Sequence, residues 1–170
     1  MIIKVERNYL EIKSLENLNY SAKPNDNCNL HLVDPPDFQI NKFFYKQIGK
    51  DHRWSDRLVW NDQKWIKYVE NHKVKTYVLK DKEDLIGYSE QIFHFEEKNC
   101  EIAYFGILQE FYGKKYGGFL LSQAIKNAFV NEVERVWLHT CSLDHEFALK
   151  NYQARGMNIF KSETINLKIN

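Results

Sequence analysis

The spacing of apolar residues changes period several times along the chain, and each change marks an element boundary. Ile2, Val5, Tyr9 and Ile12 indicate extended structure over residues 2–12, as one strand or two. Residues 22–29, rich in Asn, Asp and Pro, read as a surface loop, with a short strand at 28–33. Asp34-Pro35-Pro36-Asp37 breaks the chain, and proline near a first helical turn suits a helix over 38–49. Trp65, Ile66 and Val69 form the stripe of a second helix at 62–71. Strands follow at 74–79, 85–95 and 101–108, the last two joined as a hairpin through Glu96-Glu97-Lys98-Asn99. Leu120, Leu121, Ala124, Ile125 and Ala128 then keep a 3.6-residue period through a helix at 116–130. The apolar run 135–141 is a strand. Asp144 is expected to cap a helix that carries Phe147, Ala148 and Tyr152 and stops at Gly156. Residues 157–169 form one long strand or a strand pair. The order is mixed α/β: meandering strands first, then strand–helix–strand–helix–strand.

Composition narrows the setting. A chain of 170 residues can bury one good core, so 1–170 is expected to be a single domain, with 1–27 as an N-terminal extra strand and loop. It is 44% apolar and 28% charged, which suits a globular chain. A net charge of +1 offers no electrostatic basis for binding nucleic acid or an anionic membrane. No apolar run approaches the roughly 20 residues that span a bilayer. Lys4, Glu6 and Arg7 stand where a secretory signal would be apolar, so a cytoplasmic location is expected. Cys28, Cys100 and Cys141 are odd in number and contain no Cys-x-x-Cys pair, and they read as small core residues. His139 and His145 lack a third ligand, so no metal site is expected.

The apolar run 102–108 leads into Gln109-Glu-Phe-Tyr-Gly-Lys-Lys-Tyr-Gly-Gly-Phe-Leu-Leu121, which holds three of the chain's seven glycines and two adjacent lysines. Strand, glycine-containing turn and helix N-terminus together make an anion site. Backbone N–H groups point outward, the helix dipole adds partial positive charge, and glycine admits a phosphate close to the main chain. A phosphate-bearing ligand follows. The segment lacks the Gly-Lys-Ser/Thr ending of a P-loop, and no Gly-x-Gly-x-x-Gly is present, which counts against a nucleotide-binding protein built on either motif.

Two signatures in this chain resemble those of the GNAT superfamily of acetyl-CoA-dependent N-acetyltransferases. Tyr112-Gly113-Lys114-Lys115-Tyr116-Gly117 is similar to that family's Arg/Gln-x-x-Gly-x-Gly/Ala pyrophosphate loop. His145-Glu-Phe-Ala148-Leu-Lys-Asn-Tyr152-Gln-Ala-Arg-Gly156-Met157 is similar to its Asn-x-x-Ala-x-x-x-Tyr-x-x-x-Gly-Phe helix. Gly117, Ala148, Tyr152 and Gly156 agree; Tyr112, Lys115, His145 and Met157 depart. The resemblance covers about residues 28–168. It implies a central mixed, mostly antiparallel sheet flanked by helices, and transfer of an acetyl group from acetyl-CoA to a primary amine. The cofactor contacts it implies are Gly106, Ile107 and Leu108, then the loop residues Tyr112, Gly113, Lys114, Lys115, Tyr116, Gly117 and Gly118, and finally Thr140, His145 and Tyr152. Tyr152 takes the place of the acid near the cofactor sulfur. Glu101, eleven residues before Tyr112, takes the place of the base, with Glu90 and His139 as alternatives. The strands at 101–108 and 135–141 are expected to splay, with an oxyanion donor on the main chain near Gly106–Leu108 and Gly106 at a bulge or close approach. No activated Cys or Ser nucleophile is visible, so direct attack in a ternary complex is expected. The departures at Tyr112 and Lys115 also suit a second reading, a non-catalytic acyl-CoA-binding module with the same fold.

An acceptor pocket is expected around His52-Arg-Trp-Ser-Asp-Arg-Leu-Val-Trp60, because function concentrates on such loops. Trp54 and Trp60 would be walls, Asp56 would hold the amine, and Tyr104 would join them. The alternative, tryptophans capping the core beside solvated charges, is equally consistent with the residues. The acceptor is a small-molecule or peptide amine, and a homodimer stays open.

Overall fold

A computed structural model describes residues 1–168. Among these residues, seven strands and four helices follow in the order β1 (Ile2–Ile12), β2 (Cys28–Leu32), α1 (Phe38–His52), α2 (Asp62–Val69), β3 (Val74–Asp81), β4 (Asp84–His94), β5 (Asn99–Ile107), α3 (Tyr116–Val130), β6 (Arg135–Cys141), α4 (Ala148–Ala154) and β7 (Asn158–Lys168). The strands form one sheet in the order β2-β3-β4-β5-β6-β1-β7. Its pairs are antiparallel except β5 with β6. The mixed α/β class and the mostly antiparallel sheet are therefore as expected.

Helix α3 matches its expected span, and its stripe is fully buried: Leu120, Leu121, Ala124, Ile125 and Ala128 have no solvent exposure. Leu121, Ala124, Ile125 and Ala128 pack with Leu10, Ile12, Phe93, Ile102 and Leu138 on one face of the sheet, and Leu120 packs with Leu79 and Ile86. The other face of the β2–β5 half is covered by α1, through Phe44 and Ile48 on Val78 and Tyr88. Val78 and Leu79 alternate between these two cores, as a strand buried on both faces requires.

Boundary differences have physical causes. The first helix passes Gly49 and ends at Arg53, which is left-handed at φ 56°. Gly49 is small for packing rather than for termination: a Cβ there would lie 2.7 Å from Cβ of Trp54. The β3–β4 and β4–β5 turns tighten around Lys82 and Lys98, both at φ 53°. Asp144 does not cap α4, whose N-cap is Phe147 without a side-chain bond. Its carboxylate instead accepts the Thr140 hydroxyl at 2.5 Å and the Cys141 amide at 2.9 Å, closing the turn at the end of β6. Residues 158–168 form a single strand; Ile169, the last residue of the expected element, lies outside the described residues.

The N-terminal strand is not peripheral. It pairs with β6 from Arg7↔Cys141 to Ile12↔Val136, and with β7 from Ile2↔Lys168 to Glu11↔Asn158. Two irregularities shape the site. Parallel pairing of β5 with β6 ends at Glu101↔Trp137, although β5 runs to Ile107 and β6 to Cys141. The β4–β5 register also slips at Ala103, between Gln91↔Ile102 and Glu90↔Tyr104. That bulge, rather than Gly106, re-aims β5: it turns Tyr104 onto the face that Glu101 occupies, opposite Ile102. Gly106 is the close approach, where an added Cβ would lie 2.8 Å from Cγ2 of Ile48 in α1.

Candidate active site

The parting of β5 from β6 opens a cavity of about 730 Å³ through the middle of the sheet. It is lined by both strand ends, the turn before α3, the start of α4, and the loop after α1. Beyond Glu101 the β5 edge has no strand beside it among the described residues. Leu108 donates its amide to Ile86 O at 2.9 Å, so Leu108 and Gly106 face β4. Alternation then turns the amides of Phe105 and Ile107 toward the gap. The free donors fall on those two residues, and the Leu108 amide is already engaged.

At the α3 end, Gly113 is left-handed at φ 75°, and no atom lies within 4 Å of where its Cβ would be. Lys115, at the position of the family loop's glycine, is also left-handed (φ 68°) and serves as the α3 N-cap without a side-chain bond. The first amides of α3, those of Tyr116, Gly117 and Gly118, have no intrahelical partner by geometry. Gly113, Lys115, Tyr116, Gly117 and Gly118 all line the cavity. This donor set fits a diphosphate: clustered N–H groups, a helix N-terminus and a nearby lysine. Tyr116 offers only its main chain, because its hydroxyl is bonded to Asp81 at 2.5 Å, which pushes the phenol up to about 12. Lys114 does not line the cavity and lies over the Phe111 ring at 5.6 Å. Thr140 and Leu108 are likewise outside its lining, the first turned to Asp144 and the second packed in the core beneath α1.

Tyr112 takes part in an aromatic rim. Its hydroxyl lies 3.4 Å from Nε2 of His52, whose Nδ1 is 3.2 Å from Leu143 O, and its ring lies 4.6 Å from that of His145. The carbonyl makes Nδ1 the protonated nitrogen, so Nε2 accepts from the phenol. His52 thereby ties α1 to both sides of the cavity mouth.

Tyr152 stands inside the cavity, 7% exposed, with its ring 6.2 Å from Phe105 and no hydrogen-bond partner for its hydroxyl among the described residues. Burial, with a smaller push from Asp144, raises its phenol well above the ordinary value. Glu101 lines the cavity from the opposite face and lies 3.4 Å from Nε2 of His94. Of the two alternative bases, Glu90 is fully buried and spent on Arg57 and Tyr68, each at 2.8 Å. His139 does line the cavity. Its ring is open to the groove but sits in the groove floor, where partial desolvation and then Arg7 lower its pKa.

The loop after α1 is held down by Arg57, which enters a cage of Tyr45, Trp60, Trp65, Tyr68 and Tyr104 rings and meets Glu90 at 2.8 Å. This anchor leaves Asp56 exposed in the cavity, where it accepts the Tyr45 hydroxyl at 2.8 Å and the Tyr104 hydroxyl at 2.7 Å. Trp54 and Tyr104 meet edge to face at 4.8 Å and line the cavity with it. Trp60 does not line it; the ring packs on Trp65 and Tyr68 and stacks on Arg57. His52, which opens the expected acceptor segment, lines the cavity; Arg7, a further lining residue, carries no signal in local periodicity beyond sharing a strand face with Val5 and Tyr9.

A split sheet with an anion cradle on one side and a carboxylate-lined groove on the other defines a chain built to hold a diphosphate-bearing ligand beside an acidic groove. The sequence model of the Acetyltransferase (GNAT) family matches residues 37–157, and the chain belongs to that family. Members generally use acetyl-CoA as cosubstrate. Solved structures agree on the fold. A GCN5-related N-acetyltransferase from Sphaerobacter thermophilus superposes with a TM-score of 0.71 at 12% identity, covering 95% of this chain and 50% of the other. A second, from Kribbella flavida, gives 0.67 at 13% identity, over 97% of this chain and 58% of the other. An aminoglycoside acetyltransferase from an uncultured soil metagenomic sample gives 0.65 at 11% identity, over 78% and 90%. This chain thus spans about half the length of the first two relatives. No curated protein sequence matches it. Among the described residues, no helix is long and apolar enough to cross a membrane.

Proposed function

We propose that the protein moves an acetyl group from acetyl-CoA to a primary amine of a small molecule or peptide, by direct attack in a ternary complex. One observation carries this reading: β5 and β6 part immediately after Glu101↔Trp137, beside both the amide cradle and Tyr152. When bound, acetyl-CoA supplies the acetyl thioester. Gly113, Lys115 and the first turn of α3 hold its diphosphate, and the gap takes the arm between. An alkyl amine with pKa near ~10.4 is almost wholly protonated at pH 7, and removing that proton costs roughly 4–5 kcal/mol. Asp56 orients the amine, and Glu101 accepts its proton at a carboxylate oxygen, directly or through one water. The amides of Phe105 and Ile107 donate to the oxygen on which charge develops. Tyr152 holds its proton at Oη. Its raised pKa makes full transfer to a thiolate, with a conjugate acid near 8.5, uphill, so it acts chiefly as a hydrogen-bond donor.

The test is an amine-library screen with acetyl-CoA, read as free thiol. Turnover of at least one amine, with thermal stabilisation by CoA but not ATP or NAD, is expected. CoA binding without turnover across the panel would support the non-catalytic module instead. Glu101→Gln is expected to lose roughly 10²-fold in rate together with the acidic limb of the pH–rate profile. If that limb persists and only His139→Gln removes it, His139 is the base.

A further inference from the structure

We propose that the acceptor amine also carries a carboxylate, and that Arg7 receives it. The inference rests on the acyl-transfer reading and names the acceptor class for the same groove. Arg7 lies in β1 opposite Cys141, two residues from Tyr9, which pairs with His139 and whose ring lies 5.6 Å from the imidazole. Cross-strand partners share a face, so Arg7 stands with Tyr9, His139 and Cys141 on the acceptor side of the sheet. The α3 side, where Tyr152 packs with Leu10 and Leu138, is the other face.

Arg7 lines the cavity, is half-buried, and its side chain has no hydrogen bond or ion pair among the described residues. Its Nε is shut off from water without an acceptor. The Nη atoms make no hydrogen bond either and, unlike Nε, stay in contact with solvent, so they are the charged donors open to an acceptor atom. Its cross-strand neighbour Glu163 is already engaged, accepting the Tyr9 hydroxyl at 2.7 Å and lying 3.4 Å from Lys161.

Asp56 and Glu101 bring the opposite sign to the acceptor face, while the other cations of the lining are Arg57, held by Glu90, Lys115 at the diphosphate cradle, and Arg53 and Lys168. His139 feels the positive charge of Arg7 and the negative charges of Glu101, Asp144 and Asp56, and all of these residues line the one cavity. An ammonium suits the carboxylates of Asp56 and Glu101. A planar anion suits the guanidinium fork, which takes carboxylate oxygens two at a time. A polyamine would bring like charge to Arg7. The acceptor is accordingly an amino acid or an amino-acid-like zwitterion.

The experiment holds the protein with desulfo-CoA, which cannot transfer acetyl, and titrates matched amines by calorimetry: amino carboxylates, their primary amides, and aminophosphonates. Wild type is expected to bind the carboxylate at least about tenfold tighter than the amide. That preference should fall below about threefold in Arg7→Met and return in part in Arg7→Lys, with CoA affinity unchanged in both. Equal affinity for acid and amide, no binding of any amino carboxylate, tighter binding of the phosphonate, or a preference that survives Arg7→Met overturns the assignment. The wild-type comparison stands alone if a variant fails to fold. Turnover is read separately: tight carboxylate binding with no thiol release from acetyl-CoA would refute acyl transfer and leave the Arg7 assignment standing.

Discussion

At the scale of single residues, the site separates groups that hold structure from groups left free. Tyr104 and Tyr45 spend their hydroxyls on Asp56, and Tyr116 spends its own on Asp81, whereas the Tyr152 hydroxyl has no partner among the described residues. Removing the Tyr152 hydroxyl should therefore disturb the chemistry and not the fold. Tyr152→Phe is expected to lower kcat roughly 10²-fold while its melting temperature stays within a degree or two of wild type; steady-state kinetics and calorimetry check both. A variant with full turnover would leave Tyr152 as an ordinary core aromatic. His139 makes a different prediction. Partial burial and Arg7 lower its folded-state pKa below the unfolded value near ~6.5. The unfolded chain then binds more protons, so the contribution is fully present above about pH 6.5 and is lost as pH falls through that value toward the folded pKa. Urea denaturation at pH 7.5 and 5 should show a smaller loss of stability in His139→Gln than in wild type. An equal loss in both would mean that other groups carry it.

At the scale of elements, the segment between β5 and α3 shows what local sequence can and cannot encode. Its order of strand, glycine turn and helix was legible because each part has a local cause: an apolar run, turn residues, and a 3.6-residue stripe. The same holds for α3 and β6, whose spans match expectation residue for residue. The Ala103 bulge was not legible, since it exists only as a register slip against β4, and Gly106 looked like the better candidate. Trp60 was misplaced for a similar reason. Nothing in the string His52–Trp60 reveals that Arg57 would bury itself among five rings and draw Trp60 inward. Lys115 departs from the glycine of the similar loop, and it holds the left-handed backbone that glycine favours, at φ 68°. A left-handed lysine costs about 1–2 kcal/mol relative to glycine, partly offset by glycine's greater unfolded-state freedom. Lys115→Gly should stabilise the free protein by about 0.5–1 kcal/mol yet weaken CoA binding roughly five- to tenfold through loss of a charge-assisted contact. Lys115→Ala should lose affinity without the gain in stability. Denaturant midpoints and CoA titrations separate the three proteins. An unchanged CoA affinity in both would assign the phosphates to backbone amides alone.

At the scale of the whole molecule, the site depends on a strand that local pattern presents as an appendage. β1 lies between β6 and β7, so it closes two ladders, and Leu10 and Ile12 add fully or almost fully buried side chains to the core under α3. Without it, β7 has no neighbour, and the edge of β6 that carries His139 and Cys141 stands open. An open edge on a strand already parted from β5 beyond Glu101 would leave the second half of β6 without a partner on either side. That half is one wall of the cavity. Deleting residues 1–13 should therefore abolish cooperative unfolding rather than merely lower the midpoint. It costs two ladders and three core side chains, Val5, Leu10 and Ile12, each Leu or Ile truncation alone being worth about 2–5 kcal/mol, against a total stability of about 5–15 kcal/mol. Circular dichroism melts and amide exchange of β6 would report the loss. A truncated protein that still melts sharply, with β6 amides protected as in the full chain, would show that β6 needs no partner and that β1 serves the groove alone.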